Sequence, residues 1–212
     1  MNFKRIDIDT WERREYFNHY IHEVNCSYST TVNIDVTNLK GYKLYPTMIW
    51  FLTKAVNQTE QFRTALKGNC VGIYETMNPS FTIFNKDRKN FCSVWAEFSE
   101  SYSQFCANYN EIVKNYKDSD VFMPQKIRPE NTFDISMIPW FTFSSFNLNI
   151  KNDGKYLLPI FTMGKVFENN GKQMLPLAIQ VHHAVCDGYH IGLFLESLES
   201  DIACFSKFCE SK

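Results

Sequence analysis

Net charge is nearly missing from this chain: 22 basic residues stand against 23 acidic ones, leaving −1 over 212 residues. That excludes the positive field that draws a protein to nucleic acid or to an acidic membrane surface. Long apolar runs are missing too. The densest, Met48-Ile49-Trp50-Phe51-Leu52, falls far short of the roughly 20 residues that cross a bilayer. The start, Met1-Asn2-Phe3-Lys4-Arg5-Ile6-Asp7, puts charges where a secretion signal needs an apolar stretch. Paired cysteine spacing is absent: the seven cysteines, Cys26, Cys70, Cys92, Cys106, Cys186, Cys204 and Cys209, form an odd set that suits reduced thiols and argues against disulfides. No repeat and no Pro/Gly/Ser-rich linker divides the sequence. These absences predict one domain over residues 1–212, soluble and cytoplasmic, with no nucleic-acid or membrane partner.

What is present is apolar mass, 44% hydrophobic and 16% aromatic, enough for a substantial core. A first helix carrying Trp11 to Tyr20 follows Asp9-Thr10, either of which can cap it. Val32, Ile34 and Val36 alternate as a strand, and Pro46 opens a second helix running through Val56. Strands are predicted over 70–75, 80–84 and 91–98, then a helix over 101–117 and a long loop over 119–131. Further strands are predicted over 140–150, 156–165 and 172–183, with Asn152-Asp153-Gly154 and Asn169-Asn170-Gly171 as hairpin turns. A last helix aligns Ile191, Phe194, Leu195, Leu198, Ile202 and Phe205 in one stripe. The sum is an α+β fold, a two-layer sandwich of a mainly antiparallel or mixed sheet with packed helices.

The segment Gln180-Val181-His182-His183-Ala184-Val185-Cys186-Asp187-Gly188 carries the chemistry. Leu177, Ile179, Val181 and His183 recur at every second position, so a strand places them on one face with a histidine ending the apolar row. Desolvation there favours the neutral imidazole, which a general base requires. Asp187-Gly188 then breaks the strand before the last helix. The same pattern also describes a satisfied core histidine beside a helix-capping Asp. A metal site of His182, His183, Cys186 and His190 is disfavoured, because adjacent strand residues point to opposite faces and no Cys-x-x-Cys pair exists to complete it.

Several other segments bear on identity: Trp11-Glu12-Arg13-Arg14-Glu15, Tyr45-Pro46, Phe62-Arg63, Pro129-Glu130-Asn131, Ile138-Pro139-Trp140, Ser145-Phe146-Asn147-Leu148-Asn149 and Pro159 to Lys165. With the histidine segment they give nearly the whole chain a resemblance to the trimeric, His-dependent (type A) family of chloramphenicol O-acetyltransferases. The resemblance implies a CoA-dependent acyltransferase-like fold. It also implies transfer of acetyl from acetyl-CoA, a co-substrate, to the 3-hydroxyl of chloramphenicol, which inactivates the antibiotic and confers resistance. No bound cofactor and no metal are implied, and the sites lie between the subunits of a homotrimer.

By the same resemblance His183 is the base, Ser136 the donor to the oxyanion, and Thr162 the holder of a nearby water. Asp187 and Arg13 form a structural ion pair. Tyr20, Cys26, Phe91, Phe146, Leu148 and Ile160 line the antibiotic pocket, Lys43 and Lys165 approach the CoA phosphates, and Trp140 flanks the pantetheine. On the residues alone Ser136 is equally a loop or strand-end serine, Arg13 an exposed helical charge, and the apolar set ordinary core.

The chain departs from the family pattern at Asp134, where Asn is common, and at Val166, where Tyr is common near the adenine. His19, Val24, Tyr28 and Met123 stand at pocket or near-pocket positions usually filled by Phe or Leu. Two rival readings are another His-dependent CoA acyltransferase, such as the catalytic domain of a 2-oxo-acid dehydrogenase complex, and a non-catalytic trimeric binder of apolar ligands. The first would bring lipoyl and subunit-binding segments, for which the chain leaves no room.

Overall fold

The computed structural model describes residues 2–150 and 154–205. Its main sheet is mixed. In spatial order it runs β2 (Ser27–Asp35), β10 (Lys172–His182), β8 (Ile160–Met163), β7 (Thr132–Met137), β5 (Asn78–Asn85) and β6 (Asn90–Trp95), with β9 (Phe167–Asn169) on the far end of β10. β7 is parallel to both β5 and β8, and the other pairings are antiparallel. A separate antiparallel sheet joins β1 (Phe3–Arg5), β4 (Cys70–Tyr74) and β3 (Thr64–Lys67). The helices are α1 (Arg14–Asn18), α2 (Leu44–Gln58), α3 (Tyr102–Tyr116) and α4 (Gly188–Ala203). Among the described residues, no helix is long and apolar enough to cross a membrane.

One face of the main sheet makes the core. Leu177, Ile179 and Val181 of β10 are buried there with Phe161 of β8, whose ring stacks on Phe194 of α4 (centroids 5.4 Å apart). Phe62 closes on the same Phe194 at 4.7 Å. α2 is buried on nearly every side from Pro46 to Val56, which explains why its sequence is apolar all round and not striped.

The second face is more polar, and register defines it. Thr31, Ala178, Thr162 and Ser136 are paired across β2, β10, β8 and β7, so their side chains share one row. Ser29, Gln180, Ile160 and Asp134 form the next row of the same face.

Three expectations are corrected. The first helix does not begin at Asp9 or Thr10: Asp7 takes the bonding, its carboxylate accepting from the Asp9 amide and the Thr10 hydroxyl, and α1 starts only at Arg14. Residues 140–150 form no strand. Both edges of β8 are taken by β7 and β10, and both edges of β10 by β8 and β2, so that segment lies over the second face instead. There the Leu148 amide donates to Gln180 Oε1 (3.0 Å) and Ser29 Oγ donates to Asn147 Oδ1 (2.6 Å). The strand predicted over 156–165 shortens to β8, Ile160–Met163.

The Asn169-Asn170-Gly171 turn does join β9 to β10, with φ of 50° at Asn170 and 77° at Gly171, the left-handed pair that a tight hairpin needs. The other proposed turn lies largely outside the described residues, which resume at Gly154.

Candidate active site

β10 ends at His182, one residue earlier than the alternation suggested, so His183 stands in the turn beyond it. One ladder contact still reaches past the strand: the His183 amide donates to Cys26 O (2.9 Å). The turn's amides are then all occupied. The Ala184 amide donates to His182 Nδ1 (3.1 Å), and the Val185 and Cys186 amides donate to His182 O (3.1 and 3.0 Å). Arg13 takes the carbonyls: Nη2 donates to His183 O (3.1 Å) and Nε to Ala184 O (3.2 Å), while Nη1 meets Asp187 Oδ2 at 2.8 Å. One planar guanidinium thus holds three points of the loop, which a lysine's point charge cannot do.

Asp187 also caps α4, accepting from the Tyr189 amide (3.2 Å). Burial works to raise its carboxyl pKa, but the Arg13 hydrogen bond and the neighbouring positive charges outweigh it and hold the group below its usual range. The local alternative, a helix-capping Asp, therefore coexists with the ion pair.

The His183 ring lies flat against Tyr20, centroids 4.3 Å apart and 3° from parallel, with Tyr28 tilted beside it at 5.1 Å. Tyr20 is presented by a π-helical turn, His19–Glu23, that continues α1, a rare geometry that recurs at functional sites. Nδ1 of His183 is enclosed without a partner among the described residues, so Nε2 is the nitrogen left for a substrate. Burial raises the Tyr28 phenol pKa and pushes the Cys186 thiol up to about 12, so neither is an acid or nucleophile near neutrality.

A second group gathers on the polar sheet face. Ser136 Oγ and Thr162 Oγ1 lie 3.1 Å apart across β7 and β8, and Ser136 sits within a strand, not a loop. Ile160 shares this face, and Leu148 is anchored to it through Gln180. Phe146 packs on Phe143 (5.4 Å) in the same overlying segment.

Asp134, two residues before Ser136, accepts from Arg128 Nη2 (2.7 Å) and from the Tyr156 hydroxyl (3.0 Å). This network had no local sequence signal, since Tyr156 is 22 positions away. Phe91 and Trp140 stand further out, both exposed. Phe91 pairs with Phe84 on the β5/β6 ladder, and Phe84 meets Trp140 edge-on at 4.9 Å. Lys43 and Lys165 are exposed, Lys43 at the N-terminus of α2 and Lys165 with its amide on Phe141 O. His19 faces Glu23 (2.7 Å), Val24 and Met123 are exposed, and Val166 packs against the core.

The two groups do not meet within one chain. Ala178 is level with Thr162 and Ser136. His183 lies five residues further along, about 17 Å of extended chain, and two strand spacings, about 10 Å, to the side. Its ring also meets Tyr28, which pairs with Val181 and so belongs to the opposite face. Two sizeable clefts, of about 620 Å³ beside Arg13 and His190 and about 490 Å³ beside Arg128 and Tyr156, include neither His183 nor Ser136.

Comparison with known proteins adds the following. The family model described as chloramphenicol acetyltransferase matches residues 1–199. A chloramphenicol acetyltransferase of Clostridium perfringens is 48% identical over 207 residues, covering 94% of each chain, and one of Clostridium butyricum is 43% identical over the full length of both. A solved chloramphenicol acetyltransferase superposes with a TM-score of 0.86 at 22% identity, over 95% of this chain and all of that one. The dihydrolipoamide acetyltransferase of Azotobacter vinelandii superposes at 0.69 with 14% identity, over 92% of this chain and 88% of that one. At such identities these two structures speak for the fold alone.

Proposed function

Because this chain belongs to the chloramphenicol acetyltransferase family of acyltransferases, we propose that it transfers the acetyl group of acetyl-CoA to the 3-hydroxyl of chloramphenicol. The whole of 1–212 is read as one catalytic domain working in the cytoplasm, conferring resistance. Nε2 of His183 takes the hydroxyl proton as that oxygen attacks the thioester carbonyl. The tetrahedral oxyanion accepts from Ser136 Oγ–H, and a Thr162 hydroxyl bonded to Ser136 orients that donor and a nearby water. Collapse of the intermediate breaks the C–S bond. The CoA thiolate leaves and takes the proton from the imidazolium, so no acyl-enzyme forms.

Arg13 and Asp187 hold the turn that presents the base. Tyr20, Cys26, Phe91, Phe146, Leu148 and Ile160 contact the antibiotic, and Lys43, Lys165 and Trp140 contact CoA.

The observation that carries the assembly is the distance between the half-sites. A base and an oxyanion donor some 20 Å apart along and across the sheet serve one reaction only if they come from different copies, as they do when a symmetric trimer closes head to tail. His183→Ala and Ser136→Ala homotrimers should each lose turnover of chloramphenicol, followed as free CoA. Co-expressed and randomly mixed, they should recover about a quarter of the wild-type sites, one intact site per mixed trimer. Absence of recovery in verified mixed trimers refutes the shared site. Full activity of the His183→Ala homotrimer refutes the base. A 3-deoxy chloramphenicol should release no CoA, and faster acetylation of dihydrolipoamide than of chloramphenicol would favour the 2-oxo-acid dehydrogenase reading.

A further inference from the structure

His182, the neighbour of the base, is buried, 1% exposed. Three successive amides nevertheless end on this residue. Its carbonyl takes Val185 and Cys186, and its ring nitrogen Nδ1 takes the Ala184 amide at 3.1 Å. An accepting imidazole nitrogen carries no proton, so the ring hydrogen is on Nε2. Nε2 is buried and finds no partner among the described residues. The fold thus leaves one buried donor unpaired while keeping Nδ1 as an acceptor, at the peptide that directly follows His183. Ala184 is itself fully buried, so no water replaces that acceptor.

We propose that His182 is a positioning residue for the acetyl transfer: as the neutral Nε2–H tautomer it accepts the Ala184 N–H and thereby fixes the peptide plane that aims His183. The inference rests on His183 being the base. Burial, and then the charge of the adjacent His183, push the His182 pKa down to about 4, which keeps the ring neutral and accepting wherever His183 itself works. Arg13 fixes the carbonyl side of the same peptides and His182 the amide side, so aim depends on both.

Two substitutions separate this role from mere bulk. In His182→Asn the amide oxygen occupies the place of Nδ1 and keeps the acceptor, while the unpaired Nε2–H disappears. In His182→Gln the polar group sits where Nε2 was, and the Ala184 N–H is left bare. His182→Asn should retain kcat within about threefold, and His182→Gln should lose about 10–100-fold in kcat with little change in KM, as for a catalytic group held slightly off its line. Equal losses in the two variants, or a loss confined to KM, overturn the proposal. If His182→Gln does not fold, histidine-selective 15N spectra of the wild-type protein decide: they should show Nδ1 of His182 as the unprotonated nitrogen, and a protonated Nδ1 overturns the proposal. Activity surviving in His183→Ala strikes the underlying reading. An inactive His183→Ala with indistinguishable Asn and Gln variants at 182 strikes this inference alone.

Discussion

Replacing Arg13 by Met keeps an unbranched apolar stem and removes three bonds at once, those to His183 O, Ala184 O and Asp187 Oδ2. Breaking a fully buried ion pair costs about 3–5 kcal/mol. The Arg13 side chain is 14% exposed, but Asp187 is 34% exposed and keeps the Tyr189 amide. Solvent screening therefore lowers the expected loss to about 2–3 kcal/mol. In urea, at fixed protein concentration because the assembly contributes to stability, that moves the midpoint down by about 1 M. Turnover should fall about 10–100-fold, because the peptides flanking His183 lose their anchor. Arg13→Lys should fall between, reaching one acceptor of the three.

The pH dependence follows from the lowered Asp187 pKa. A carboxyl that is more acidic folded than unfolded adds stability that is complete above its ordinary 3.8 and is lost as pH falls through the lower folded value. The stability gap between wild type and Arg13→Met should hence be widest above about pH 5 and shrink below pH 4. An unchanged midpoint together with turnover within twofold refutes the account of the turn. A lower midpoint with normal turnover would leave Arg13 as a prop of the fold with no hold on the base.

Ser136→Ala should cost about 2.7–4 kcal/mol of transition-state stabilisation, seen as a 100- to 1000-fold lower kcat, and a change in KM alone would assign Ser136 to binding. Thr162→Val, which removes the 3.1 Å partner of Ser136, should fall in the same direction by less, and a larger loss than in Ser136→Ala would make Thr162 the donor. Asp134→Asn keeps one acceptor and weakens a pair that is 33% and 39% exposed, so its urea midpoint should shift by the equivalent of about 1 kcal/mol or less. Asp134→Leu strands the Tyr156 hydroxyl and should cost about 1–3 kcal/mol; equal effects of the two substitutions would show that the hydroxyl does not depend on this carboxylate.

Local patterns were readable wherever one element settled its own fate. α3 runs over Tyr102–Tyr116, inside the helix expected over 101–117, the Asn170-Gly171 turn follows from φ values that few other pairs tolerate, and the α4 stripe buries Ile191, Phe194, Leu198 and Ile202. The failures have one physical origin, competition for hydrogen-bonding groups by partners that a pattern within one element does not reveal. Asp7 binds the Asp9 amide and the Thr10 hydroxyl, groups of the two residues that were expected to cap the first helix. Residues 140–150 have the β-branched and aromatic content of a strand, but the two strands they overlie had already paired both edges.

The site divides along the same line. His183, Asp187 and the cap lie within five residues of one another and are legible as a motif; Arg13, 170 and more positions earlier, is legible only through resemblance. The pairing of Ser136 with Thr162 depends on β7 and β8 lying parallel and in register, which no spacing in the sequence encodes. The face each row occupies decides the rest. One residue of register would turn Ser136 into the core and Ile135 out of it, so the polar row Thr31, Thr162, Ser136 survives only because Leu177, Phe161 and Ile135 are buried on the other side, Phe161 against Phe194 of α4. The apolar core therefore fixes where the oxyanion donor points, and a core substitution such as Phe161→Ala belongs among the changes that alter catalysis without touching substrate.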